Sequence, residues 1–123
     1  MNIIDSSAWL SYFADEPSAD NFHDPIQATE SLVVPVITIY EVFKVVLRES
    51  GENEALQAIA AMQKGNVVDF TINLATAASR LSLKHKLPMA DSIILATAKQ
   101  YDAILWTQDV DFKDIPGINY FQK

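Results

Sequence analysis

The sequence predicts an α/β fold with a central, mainly parallel sheet of five strands flanked by helices on both faces. Three observations carry this. Short apolar runs alternate along the chain with segments of helical period. Several of those runs are shorter than an average buried strand. The chain has 123 residues, half of them hydrophobic, which suits one domain, residues 1–123, around one core. Crossovers between parallel strands are expected to be right-handed.

Asn2-Ile3-Ile4-Asp5 reads as a strand that ends on an acid. After Ser6 and Ser7, residues 8–14 have helical character, with Trp9, Tyr12 and Phe13 as core or interface residues. Asp15 to Ser18 is a turn. Residues 18–29 read as a short helix broken near Pro25, with His23 on the surface. Leu32 to Pro35 is a second strand. Thr38-x-x-Glu41 before an apolar run is a capping-box signature, so a helix is expected from Thr38 to Ser50, stopped by Gly51. Lys44 and Arg48 lie on the Glu41 row, which suits a salt-bridged face. Residues 52–64 form a second helix with Leu56, Ile59, Ala60 and Met62 as its apolar residues. It pairs with the first as a hairpin.

Asn66 to Phe70 is a third strand. Residues 71–86 form a helix with Leu74, Ala77, Ala78 and Leu81 on one side. Its end carries Arg80, Lys84, His85 and Lys86, the densest basic cluster in the chain. These charges suit the helix dipole, and they also stand where an anionic substrate would be met. Pro88 separates this helix from residues 89–98, an almost wholly apolar helix with Asp91 at its start. Ala103 to Trp106 is a fourth strand, followed directly by Thr107-Gln108-Asp109-Val110-Asp111-Phe112. Residues 115–121 give a turn and a short final strand.

The composition excludes several classes. There is no cysteine, so disulfides and thiolate metal sites are ruled out, and a cytoplasmic location is expected. The first residues lack the basic and apolar regions of a signal peptide. No run reaches the roughly 18 apolar residues of a spanning helix, so no membrane partner is expected. The formal charge of −7 disfavours nucleic-acid binding by net field alone, unless cations or a local basic patch reverse it.

The chemistry lies in the acids. Asp5 and Asp109 follow strands directly. Glu41 and Asp91 stand at helix starts beside apolar runs, and Asp111 is a fifth candidate. Each has an ordinary explanation: Asp5 and Asp91 as helix caps, Glu41 as a capping-box acid, Asp109 and Asp111 as turn residues. In a parallel sheet, however, strand ends and the helix starts that follow them share one edge, so all these acids can converge on one cleft. Converging carboxylates raise one another's pKa values unless a cation intervenes. Mg²⁺ or Mn²⁺ fits an oxygen donor set. With no cysteine and only His23 and His85, zinc does not. Such a site suits phosphodiester hydrolysis.

Four pieces in order carry a family resemblance: apolar-Asp5-Ser6-Ser7, Thr38-x-x-Glu41-Val42, Ala90-Asp91-Ser92-Ile93-Ile94-Leu95-Ala96-Thr97-Ala98, and Leu105-Trp106-Thr107-x-Asp109-x-Asp111-Phe112. Over nearly its whole length the chain resembles the PIN-domain ribonucleases, and within them the VapC-type toxins of toxin–antitoxin modules. The resemblance implies an acidic quartet of Asp5, Glu41, Asp91 and Asp109, with Asp5 and Asp91 as the direct Mg²⁺ ligands. It implies Asp111 as an auxiliary acid, and Ser6 and Thr107 as hydroxyls that hydrogen-bond the acids. It also implies an RNA substrate, a homodimer, and a cognate antitoxin protein that blocks the cleft. Two other readings remain: a catalytically silent module that keeps the fold, and phosphotransfer through a phospho-aspartate at Asp5. The second lacks the acid two residues on, where Ser7 stands.

Overall fold

The computed structural model describes residues 1–123. Five strands form one sheet: β1 (Asn2–Ile4), β2 (Leu32–Pro35), β3 (Asn66–Val68), β4 (Ile104–Thr107) and β5 (Ile118–Tyr120), in the order β3-β2-β1-β4-β5. Every pairing is parallel. The chain winds outward from β1 to β2 and β3, then returns past β1 to lay down β4 and β5. The order therefore reverses between β1 and β4. In an open parallel sheet this reversal opens a crevice at the carboxyl ends of the two strands, because their following connections leave in opposite directions. Asn2 opposes Leu32 on one side, and Ile4 opposes Trp106 on the other.

The two-residue period of the strands divides the core. Ile4, Leu32 and Val34 point to one face and meet Trp9, Phe22, Val42 and Met62. Ile3, Val33 and Leu105 point to the other and meet Leu87, Ile94, Leu95 and Phe112. Six helices cover these faces: α1 (Ser6–Phe13), α2 (His23–Gln27), α3 (Val36–Ser50), α4 (Glu52–Met62), α5 (Ile72–His85) and α6 (Met89–Gln100). Helix α6 is buried on two sides. Ile94, Leu95 and Ala98 face the sheet, while Ile93 and Ala96 face Leu74 and Ala78 of α5. A helix enclosed in this way needs apolar residues nearly all round, which explains its sequence.

Four local expectations are corrected. Residues 18–29 do not form one helix broken at Pro25; a 3₁₀ turn at Pro17–Asn21 is followed by α2 and a further 3₁₀ turn at Thr29–Ser31. Pro25 stands in the first turn of α2, where its missing N–H costs nothing. Helix α3 begins at Val36 with Pro35 as its cap, so Thr38 lies inside it and its hydroxyl donates back to the Pro35 carbonyl at 2.7 Å. The capping box therefore does not form, and Glu41 is free for another partner. Lys44 and Arg48 do not pair with Glu41 either: Lys44 lies over the Tyr40 ring, and Arg48 meets Glu49 at 3.4 Å. The buried row of α4 is Ala55, Ala58 and Met62, while Leu56 is half-exposed. Small residues at this spacing let α4 lie close to α3. Gly51, at φ +90, makes the break between them. No helix is long and apolar enough to cross a membrane.

Candidate active site

The crevice at the β1–β4 reversal is acidic because each neighbouring element delivers a carboxylate as it begins or ends. Asp5 leaves β1 and caps α1. Its backbone is extended, so its side chain turns back to accept the Ala8 N–H at 3.0 Å. It is buried, and its two oxygens also accept the Ser7 hydroxyl at 3.0 Å and the Thr107 hydroxyl at 2.7 Å. The capping explanation is thus correct for Asp5, but Thr107 reaches it from 102 positions away along the chain. Thr107 ends β4 and is fully buried. Its oxygen also accepts the Asp109 N–H at 2.9 Å. One hydroxyl therefore joins Asp5 to the loop that carries Asp109.

Asp109 in turn caps the 3₁₀ turn Val110–Phe112 by accepting the Asp111 N–H at 2.9 Å. Asp91 enters from the first turn of α6. It does not cap that helix; Pro88 holds the cap position and no side chain bonds there. Carboxylate oxygens of Asp91, Asp109 and Asp111 lie within 4.8 Å of one another. Asp5 stands outside that set but close enough to raise the Asp91 pKa by its charge. Glu41 also stands outside it. The Ser6 hydroxyl donates to Glu41 at 2.5 Å, which ties α3 to the start of α1 beside Asp5. Neither histidine belongs to the cluster.

The electrostatics follow from this crowding. Burial pushes the Asp5 carboxyl from the ordinary 3.8 up to about 6. Bonds from Thr107, Ala8 and Ser7 oppose the rise, and the charge of Asp109 adds to it. Asp91 rises from 3.8 to about 8, first through burial, then through the charge of Asp109, a hydrogen bond to Asp111, and the charges of Asp111 and Asp5. No lysine or arginine pairs with any of these acids. An all-oxygen cluster of negative charge without a counter-ion fits a hard divalent cation.

Three positions escaped the sequence reading. Ser7 binds Asp5. Gln108 is buried between Thr107 and Asp109, and its amide donates to the Ser11 hydroxyl at 2.6 Å and to the Ser7 carbonyl at 3.3 Å. Ser11 passes the link on to Glu16 at 2.6 Å. The signal was present: Ser7 and Ser11 are four apart, on one helical face beside buried Ala8, a place where lone hydroxyls need partners.

Replacing Thr107 with valine keeps the shape but strands the Asp109 N–H and removes a bond from a buried carboxylate. Thr107→Val should destabilise the fold by roughly 1–3 kcal/mol at pH 7, read from urea unfolding. Full stability in this variant would mean that the hydroxyl does not join the two strands' acids.

The sequence matches the family model of the PIN domain over residues 3–118. The chain belongs to the PIN domain family. No curated relative matches it. Among solved structures it is similar to a chain of a toxin–antitoxin complex from Klebsiella pneumoniae, with 23% identity, 96% of this chain and 95% of that one covered, and a TM-score of 0.82. It is similar to VapC20 of Mycobacterium tuberculosis, described as a sarcin–ricin loop cleaving toxin, at 16% identity over 97% and 98% of the two chains, TM-score 0.80. DNA-bound VapBC from Salmonella typhimurium contains another such fold, at 17% identity over 98% of each chain, TM-score 0.72.

Proposed function

We propose that this protein is a Mg²⁺- or Mn²⁺-dependent endoribonuclease and acts in the cytoplasm as the toxin of a type II toxin–antitoxin pair. The observation that carries the reading is the meeting of Asp91, Asp109 and Asp111 within 4.8 Å at the sheet's reversal point, with Asp5 joined to the same loop through Thr107 and no lysine or arginine paired with any of them. Membership of the PIN family and the toxins among its structural neighbours support it.

In this reading Asp5 and Asp91 would hold the ion directly. Asp109 and Asp111 complete the acidic wall, and Glu41 orients the attacking water from the α3 side. The ion, when bound, lowers the pKa of its water and offsets charge on the phosphate. The protein supplies the placement. Thr107 and Ser7 keep the Asp5 oxygens fixed, Ser6 holds Glu41, and Asp91 would have to be deprotonated to serve as a ligand.

The partners follow from the surfaces. A groove of about 570 Å³ between α1, α3 and α4 is lined by Leu10, Phe13 and Val46 and rimmed by Glu16, Glu49 and Glu54. It suits an apolar antitoxin segment carrying basic residues. Phe70, Ile72, Leu83 and Met89 are exposed around α5 and the start of α6, and suit a second copy of the chain.

The test is cleavage of purified RNA in Mg²⁺, Mn²⁺ and chelator. Wild type should cut only with metal, and Asp5→Asn should cut more than about a hundredfold more slowly while keeping its fold by circular dichroism. A folded Asp5→Asn that cuts like wild type would remove Asp5 from the site. A wild type that cuts nothing with either metal would leave a silent module.

A further inference from the structure

Between Asp69 and Asp91 the chain holds no aspartate or glutamate, although it has 16 of them in 123 residues. That interval carries Arg80, Lys84 and Lys86, and Lys99 follows on α6. All four are exposed, and none forms an ion pair; the ion pairs of the structure are Arg48–Glu49 and Lys123–Glu16. Helices α5 and α6 pack side by side. Arg80 and Lys99 come from different helices to line one cleft of about 400 Å³, with Gln100 beside them and Ala77, Leu81 and Ala96 as its floor.

The helix dipole accounts for Lys84 and Lys99, each near a carboxyl terminus. It does not account for Arg80, which lies before the last turn of α5. It does not explain why Arg80 and Lys84, four apart, repel each other with no acid between them. Lys86 adds a second cost, at φ +56 in a position that favours glycine.

The placement relative to the acids is informative. Lys99 is eight residues from Asp91 on the same helix, which is ~12 Å of rise. That exceeds the Debye length of ~10 Å at 0.1 M salt, so water screens the cleft from the acids. Lys84 and Lys86 continue from Arg80 to the end of α5, which packs on Ile93 and Ala96 of α6 and not on the Ile94–Leu95–Ala98 row that Asp91 begins. The result is a cationic track along α5 and the end of α6, set apart from the acidic crevice on an otherwise acidic protein.

We propose that this track binds the phosphate backbone of single-stranded RNA outside the cleavage site, with the Arg80–Lys99 cleft as its far phosphate subsite. This rests on the ribonuclease reading. A polyanion approaching clustered carboxylates needs anchoring elsewhere, and the track supplies it at sequence-independent contacts.

The test is fluorescence anisotropy of a 5′-fluorescein 12-nucleotide RNA with full-length protein in EDTA, at 50–300 mM KCl. The variant Arg80→Gln/Lys99→Gln is compared with Lys64→Gln, a distant single-charge control. The double variant should bind about tenfold more weakly at 0.1 M salt, and the slope of log affinity against log salt should shrink by about 1.4, two contacts at ~0.7 each. Lys84→Gln alone should lose about half of that slope change. The control should keep wild-type binding. Unchanged binding by the double variant overturns the track and leaves the acidic site standing. An equal loss in the Lys64→Gln control reduces the effect to net charge and also overturns it. Fluorescein-labelled poly-glutamate is titrated in parallel; loss of its binding in the double variant with RNA binding intact assigns the surface to an acidic protein and overturns the track. A wild type that binds no RNA in EDTA overturns the track, while the ribonuclease reading stands or falls separately on cleavage in Mg²⁺ or Mn²⁺.

Discussion

Asp91→Asn is expected to melt higher than wild type without metal, and to lose RNA cleavage in Mn²⁺. Both effects have one cause. Ionised Asp91 is half-buried and faces Asp109, Asp111 and Asp5, so the folded protein resists its charge and the pKa climbs to about 8. Asparagine has the same shape and no charge, and its amide can donate to the neighbouring carboxylates. The full pKa rise overstates the gain, because water reaches the group and screens its neighbours. A gain on the order of 1–3 kcal/mol at pH 8 remains, equivalent to roughly 4–10 °C in melting temperature. Cleavage should fall by more than about a hundredfold, since the proposed site loses a charge that would hold the ion. Calorimetry and a gel assay on the same preparation check the pair. A stability gain with full activity would mean that the crowding is real but the ion is held elsewhere.

The second large effect is a fall in metal-free stability as pH rises. Asp5 and Asp91 both bind protons more tightly folded than unfolded. Between the ordinary 3.8 and their raised values, the folded chain therefore carries more protons than the unfolded one. Stability must then decrease with pH over that interval. The contribution is fully present below about pH 4. It is lost in two stages, mostly by pH 6 for Asp5 and by pH 8 for Asp91, though coupling spreads the steps over the cluster. Urea midpoints measured in EDTA from pH 5 to pH 8 should fall continuously. In Asp91→Asn the decline should flatten above about pH 6. Saturating Mn²⁺ should reverse the trend, because the deprotonated cluster is the form that binds metal. A flat profile in EDTA would show that neither burial nor the neighbouring acids hold these carboxyls above their ordinary range.

Strand–helix alternation gave the fold class because period-2 and period-3.6 patterns are strong in this chain, and the five parallel strands match the reading. Boundaries were weaker where two local signals competed. At Thr38 the capping-box pattern was real, but Pro35 in extended conformation started the helix two residues earlier and turned the hydroxyl to a different carbonyl. On α4 the larger apolar residues drew attention, while close packing against α3 selected the alanines. The convergence of Asp5, Asp91 and Asp109 was legible because parallel topology fixes which ends share an edge. The tightness of Asp91, Asp109 and Asp111, and the Gln108–Ser11 link, depend on loop geometry that one-dimensional spacing does not carry.

Isothermal titration of Mn²⁺ into metal-free protein at pH 7, repeated in buffers of different ionisation enthalpy, tests the shared acidic cleft most directly. With Asp91 raised to about 8, binding at the cluster should release about one proton per ion, and Asp91→Asn should abolish both the binding and the release. Binding that releases no proton, or that survives Asp91→Asn unchanged, would contradict it.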